Sequence, residues 1–130
     1  MPGDNLGVVP VGEAVDFPQD GPSTSTDIAR DPSGGFRLDT AGVYRVTFQV
    51  PIDEAGRLVV ALNATGLAYT TTGRSTGTVA IGLTTLVHAA AADVLTIRNP
   101  TGSSSALTVS QSTAGGYSTA SLLIELVKAD

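Results

Sequence analysis

"LVHAAAADVLTIRNP", residues 86–100, sets four alanines directly behind the chain's one histidine. Alanine is the best helix former, so the first reading is a helix carrying His88, the side chain that most often moves protons near neutral pH. The flanks decide otherwise. On the left "GTVAIGLTTLVH" alternates, with Val79, Ile81, Leu83 and Val87 sharing a face. On the right Asp93 leads straight into β-branched Val94, with Val94 and Thr96 facing one way and Leu95 and Ile97 the other. A helix confined to so few residues bears a nucleation cost of about 4 kcal/mol at σ on the order of 10⁻³. Alanine offsets that by at most about 0.7 kcal/mol per residue relative to an ordinary residue. The stretch is therefore strand, turn, strand, with His88 at a strand end and one helical turn as the most the loop can hold.

The same period of two recurs along the chain. "GVYRVTFQVPI" puts Tyr44, Val46, Phe48 and Val50 on one face and Val43, Arg45, Thr47 and Gln49 on the other, and Pro51 discourages further pairing. "GFRLDT" before it, with Phe36 and Leu38, reaches it through the tight connection Thr40-Ala41-Gly42. "GRLVVALNATG", "SALTVSQS" and "TASLLIELVKA" read as further strands, and the N-terminal "GVVPVGEAVDF" reads as extended, limited by Pro10 to an edge or an irregular place. Turn-forming clusters such as "DPSGG", "DEAG", "TTTGRSTG" and "NPTGSSS" separate these runs at intervals of about eight to twelve residues, the spacing of a β-sandwich or barrel. The fold class is all-β. At 130 residues the chain is one domain, with an ordered core expected over about residues 8–128.

Composition narrows the function. Hydrophobic residues are 42% and charged residues 15%, which excludes disorder. The net charge is −5, the sequence pI is near 4.5, and Lys and Arg form no cluster in the sequence, which argues against nucleic acid. No apolar run is long enough to span a membrane, and Met1-Pro2-Gly3-Asp4 lacks the basic start and apolar run of a signal peptide. There is no cysteine, hence no disulfide and no thiolate metal site.

Catalytic patterns are thin. "GRSTG", Gly73–Gly77, satisfies G-x-S-x-G, but a strand rather than a helix follows it, and no acidic residue lies between Ser75 and His88. An esterase using Ser75 is the weakest of three readings. His88 has no second histidine or cysteine with which to bind a metal, and Asp16, Asp20, Asp27, Asp31, Asp53 and Glu54 match no calcium-loop spacing. Asn63-Ala64-Thr65 is a formal glycosylation sequon. The expectation is a protein that is not an enzyme and takes no cofactor or metal.

Taken in order, "PVGEAVDFPQDGP", "LDTAGVYRVTFQV", "LVVALNATG", "GRSTGTVAIGLTTLVHAAAADVLTIRNPTG" and "TASLLIELVKA" resemble the C-terminal head domain of collagen-like exosporium glycoproteins of the BclA type. The likeness runs from about Val8 to Val127. It implies a jelly-roll sandwich of about ten strands, of the kind shared by complement and tumour-necrosis-factor heads, assembled as a homotrimer. It further implies a structural head displayed outside the cell, on a bacterial or spore surface. Two departures stand out: Ala64 and Ala92 occupy places where that family commonly has glycine, and residues 1–7 show no Gly-x-y repeat. The last strand is apolar on both faces, around Leu122, Leu123, Ile124, Leu126 and Val127, and an outward apolar face calls for a cover. Phe17, Tyr44 and Leu122 are the expected trimer-interface residues. The alternative function is a carbohydrate- or receptor-binding adhesin, including a phage or cell-surface fibre head, with Tyr69, Arg74 and Tyr117 as ligand contacts on Ser/Thr/Gly-rich loops.

Overall fold

The computed structural model describes residues 8–17, 20–23, 26–32, 34–75, 79–110 and 120–130. In chain order the strands are β1 (Val8–Val9), β2 (Ile28–Arg30), β3 (Phe36–Leu38), β4 (Gly42–Ile52), β5 (Gly56–Leu62), β6 (Thr65–Gly66), β7 (Thr72–Arg74), β8 (Val79–Ala89), β9 (Asp93–Arg98), β10 (Leu107–Thr108) and β11 (Ser121–Ala129). One turn of 3-10 helix, Ala68–Thr70, precedes β7. Among the described residues there is no α-helix, and no helix is long and apolar enough to cross a membrane.

The chain is an all-β sandwich. One layer is the three-stranded antiparallel sheet β11-β4-β8; the other is the larger sheet β2-β3-β9-β5-β6, with β7 also pairing β5. The short pair β1-β10 adds a third, two-stranded piece. Tyr44, Val46, Phe48 and Val50 of β4 are all buried, as their alternation requires, and they meet Leu58, Val60, Leu95 and Ile97 of the opposite sheet in one core cluster. Each large apolar side chain so buried contributes about 1.5–3 kcal/mol. Gly42 lets β11 close against β4: a Cβ there would overlap the Lys128 carbonyl oxygen and the Ala129 Cα.

The connections differ from what adjacency in sequence suggests. The links at 39–41, 53–55 and 90–92 each carry the chain from one sheet to the other, so β3 and β4, β4 and β5, and β8 and β9 are not paired. The alanine stretch is thus a corner between layers. Asp93 N donates to the Ala90 carbonyl at 3.2 Å, closing a tight turn, and Ala92 takes φ +70°, the left-handed region. "GRLVVALNATG" resolves into β5, a two-residue turn and β6; Asn63 and Ala64 there have φ +53° and +67°, the signature of a type I′ hairpin. Both alanines that replace the expected glycines therefore keep a glycine-like backbone.

Candidate functional site

The outward face of β11-β4-β8 carries exposed aliphatic side chains, Leu86 and Leu123 among them. Register sets its rows: Leu123, Thr47 and Thr84 lie side by side, then Glu125, Arg45 and Leu86. Because successive side chains alternate between faces, Leu122, Ile124 and Leu126 turn toward the core while Leu123 turns out. The β4–β11 register shifts between Leu126 and Lys128, leaving Val127 as the extra residue. Leu86, Leu123 and Val127 are 53%, 55% and 47% exposed, large values for such side chains.

The polar groups on this face largely satisfy one another. Thr47 and Thr84 hydroxyls are 3.1 Å apart, and Arg45 Nη1 lies 3.3 Å from Glu125 Oε1. Tyr69, on the 3-10 turn, is exposed, and its hydroxyl donates to the Leu86 carbonyl oxygen at 2.8 Å, which places an aromatic edge beside Leu86. At the end of the face His88 Nε2 lies 2.9 Å from Asp130 Oδ2, so the strand-end histidine has a carboxylate partner.

The residues expected at the interface fall elsewhere. Tyr44 and Phe17 are buried within the single chain, Tyr44 with its hydroxyl donating to the Thr40 carbonyl oxygen at 2.6 Å. Their surface is already spent on the chain's own core, so they have none to offer a partner. Leu122 is half-buried on the inward side and, with Phe17, borders a cavity of about 220 Å³ that also includes Arg30 and Phe36. The structure thus brings Phe17 and Leu122 together along one cleft. The outward neighbour Leu123 and Leu86 of β8 hold the exposed positions.

Of the expected ligand contacts, Tyr69 lies beside the outer sheet face, whereas Arg74 borders a cleft next to β5, and the two do not form one site. Tyr117 lies outside the described residues. Ser75 is exposed at the end of β7, and the strand β8 begins at Val79. Gly73 has a structural role: a Cβ there would overlap the Gly56 carbonyl oxygen and crowd Arg57, so its absence lets β7 pair with β5. Among the described residues no three His, Asp or Glu side chains are grouped to hold a metal ion.

Glu54 illustrates how the loop carboxylates are used. Its two oxygens accept from Thr108 N at 2.7 Å and from Thr108 Oγ1 at 2.6 Å, and the hydroxyl bond holds the carboxyl below its usual range. Asp53 accepts from the Ser110 hydroxyl, and Asp20 pairs with Arg30. These acids anchor neighbouring segments. Comparison with protein-family models and with curated proteins finds no match to this chain.

Proposed function

We propose that this chain is a non-enzymatic head domain of the jelly-roll kind that assembles as a homotrimer through the outward face of β11-β4-β8, serving as a structural module on a bacterial surface such as the spore exosporium. The observation that carries the reading is the exposure of Leu86, Leu123 and Val127 on one sheet face. A second copy of the chain suits this face because at its centre, between Leu123 and Leu86, Arg45 and Glu125 pair with each other, while Lys128 and Asp130 stand only at its end. Burying three large aliphatic side chains gives an obligate interface the character of a core cut in two. Threefold closure and surface display come from the resemblance of the strand sequences in their order.

Sedimentation velocity at micromolar concentration tests the assembly. The intact chain is expected to sediment as a trimer, and Leu123→Glu or Leu86→Glu is expected to shift it to monomer while retaining the β-rich circular dichroism. A wild-type monomer under these conditions overturns the proposal. Surface display is tested separately by antibody labelling of intact spores or cells of the producing organism.

A further inference from the structure

The chain carries six arginines and one lysine against twelve Asp and Glu, so carboxylates outnumber the cations they can pair with. Arg30, Arg37 and Arg45 are paired, with Asp20, Asp39 and Glu125 respectively. Arg57, Arg74 and Arg98 pair with no carboxylate among the described residues. All three border two adjoining cavities of about 340 and 380 Å³, which share Arg57 and Asn99 in their walls. Neither cavity is bordered by any described Asp or Glu. Unpaired cations in an acidic protein, gathered without a counter-charge, point to an anionic ligand.

The cleft is built as well as charged. Arg98 donates from Nε to Thr96 Oγ1 and from Nη1 to the Gly12 carbonyl oxygen, both at 2.9 Å, which fixes its guanidinium plane. Arg57 lies beside the 99–105 loop: a Cβ added at Gly102 would come within 3.1 Å of Arg57 Nη2. Asn99, 0% exposed, anchors that loop, its Nδ2 donating to the carbonyl oxygens of Val9 at 3.0 Å and Ser105 at 3.1 Å. Both of those partners are acceptors, so the amide orientation is determined and Oδ1 is the atom left over. Asn99 Oδ1 and Ser103 Oγ are buried and have no hydrogen-bond partner among the described residues. Buried polar atoms are almost always satisfied; these two are enclosed within the loop, and the exposed hydroxyl residues bordering the cleft are Thr101, Ser104 and Ser105.

We infer that the cleft bordered by Arg57, Arg74, Arg98 and the 99–105 loop binds an acidic saccharide, its oxyanion held by the arginines and its hydroxyls meeting the exposed Thr101, Ser104 and Ser105 that border it. Guanidinium forks match carboxylate and sulfate oxygens in pairs, while a polyhydroxylated ring supplies the donors that a bare inorganic anion lacks. The cavity volumes fall within the range of small-ligand sites. The inference is independent of the trimer: the cleft lies against β5, β7 and β9, whereas the proposed interface lies on β11-β4-β8.

The test is isothermal titration calorimetry of the intact chain with three probes: a hyaluronan hexasaccharide carrying carboxylates only, a chondroitin sulfate hexasaccharide carrying sulfates as well, and neutral N-acetylchitohexaose. At least one acidic probe is expected to bind at millimolar concentration or below and the neutral one not to bind. The acidic probe that binds identifies the oxyanion. Arg57→Gln and Arg74→Gln, exposed positions whose loss leaves the core intact, are each expected to weaken binding by about tenfold, and added salt to weaken it further. Gly102→Val, which crowds the Arg57 guanidinium, is expected to act in the same direction without removing a charge. Failure of both acidic probes to bind, equal binding of the neutral probe, or affinities unchanged in the two arginine variants would each overturn the inference.

Discussion

Asn63 and Asp93, thirty positions apart, join the β5–β6 turn to the β8–β9 corner: Asn63 Nδ2 donates to Asp93 Oδ1 at 2.8 Å. Asn63 Oδ1 accepts from Val94 N at 3.0 Å, and the other carboxylate oxygen of Asp93 accepts from Ala90 N at 2.9 Å. The β5–β6 hairpin thereby steadies the corner at which the chain passes from β8 to β9. Each turn contains an alanine with positive φ, and the polar bridge supports backbone conformations that alanine does not favour.

Replacing Ala92 with Gly is expected to stabilise the protein by about 0.5–1 kcal/mol. Relief of the left-handed backbone of about 1–2 kcal/mol exceeds the added chain entropy of glycine. Ala64→Gly is expected to act similarly, completing an Asn-Gly hairpin turn. Thermal unfolding checks both; a lowered midpoint for Ala92→Gly would contradict the assigned backbone.

Asn63→Ala is expected to cost about 1–3 kcal/mol, because it removes a side-chain acceptor from Val94 N and a donor from Asp93. A double-mutant cycle with Asp93→Ala should return a coupling of at least about 0.5 kcal/mol. Additive effects in urea denaturation would mean that the bridge does not operate.

Tyr44→Phe is expected to cost about 1 kcal/mol by leaving the Thr40 carbonyl oxygen without its phenol donor. Burial raises the Tyr44 pKa above its ordinary value. Its contribution is complete below the unfolded-chain value of about 10 and is lost as pH rises through the folded one. Stability measured across that alkaline window should fall less steeply in Tyr44→Phe than in the parent.

Glu54 behaves in the opposite sense. With its pKa lowered by the Thr108 hydroxyl, its contribution is complete above the unfolded-chain value of about 4.3 and disappears as pH falls through the folded value. Glu54→Gln is expected to cost about 1 kcal/mol at neutral pH, a small figure because the group is partly solvated. It should also flatten the acid limb of a midpoint-versus-pH curve; an unchanged limb would assign that slope to other carboxylates.

Much of the architecture was legible in the sequence because period two is a local property. The inward set of β4, the strand identity on both sides of the alanines and the two-faced apolar character of β11 all follow from alternation. The candidate site was less legible. Tyr44 and Leu122 were expected at an interface because they are large and apolar, but that property does not distinguish the core face of a sheet from its outer face. Leu123 and Leu86 come forward only when register places them side by side on the outward face. The arginine cleft was harder still: Arg57, Arg74 and Arg98 are widely spaced in the chain and form no charge run.

The sequence by itself determined that "LVHAAAADVLTIRNP" is two strands around a turn, since a helix that short cannot recover its nucleation cost. Tertiary structure alone decided that those strands belong to different sheets, that Ala92 closes the corner in a left-handed conformation, and that His88 meets Asp130. Side-chain alternation is encoded by neighbours along the chain. Sheet membership and unpaired charge depend instead on partners far away in sequence, which no local pattern contains.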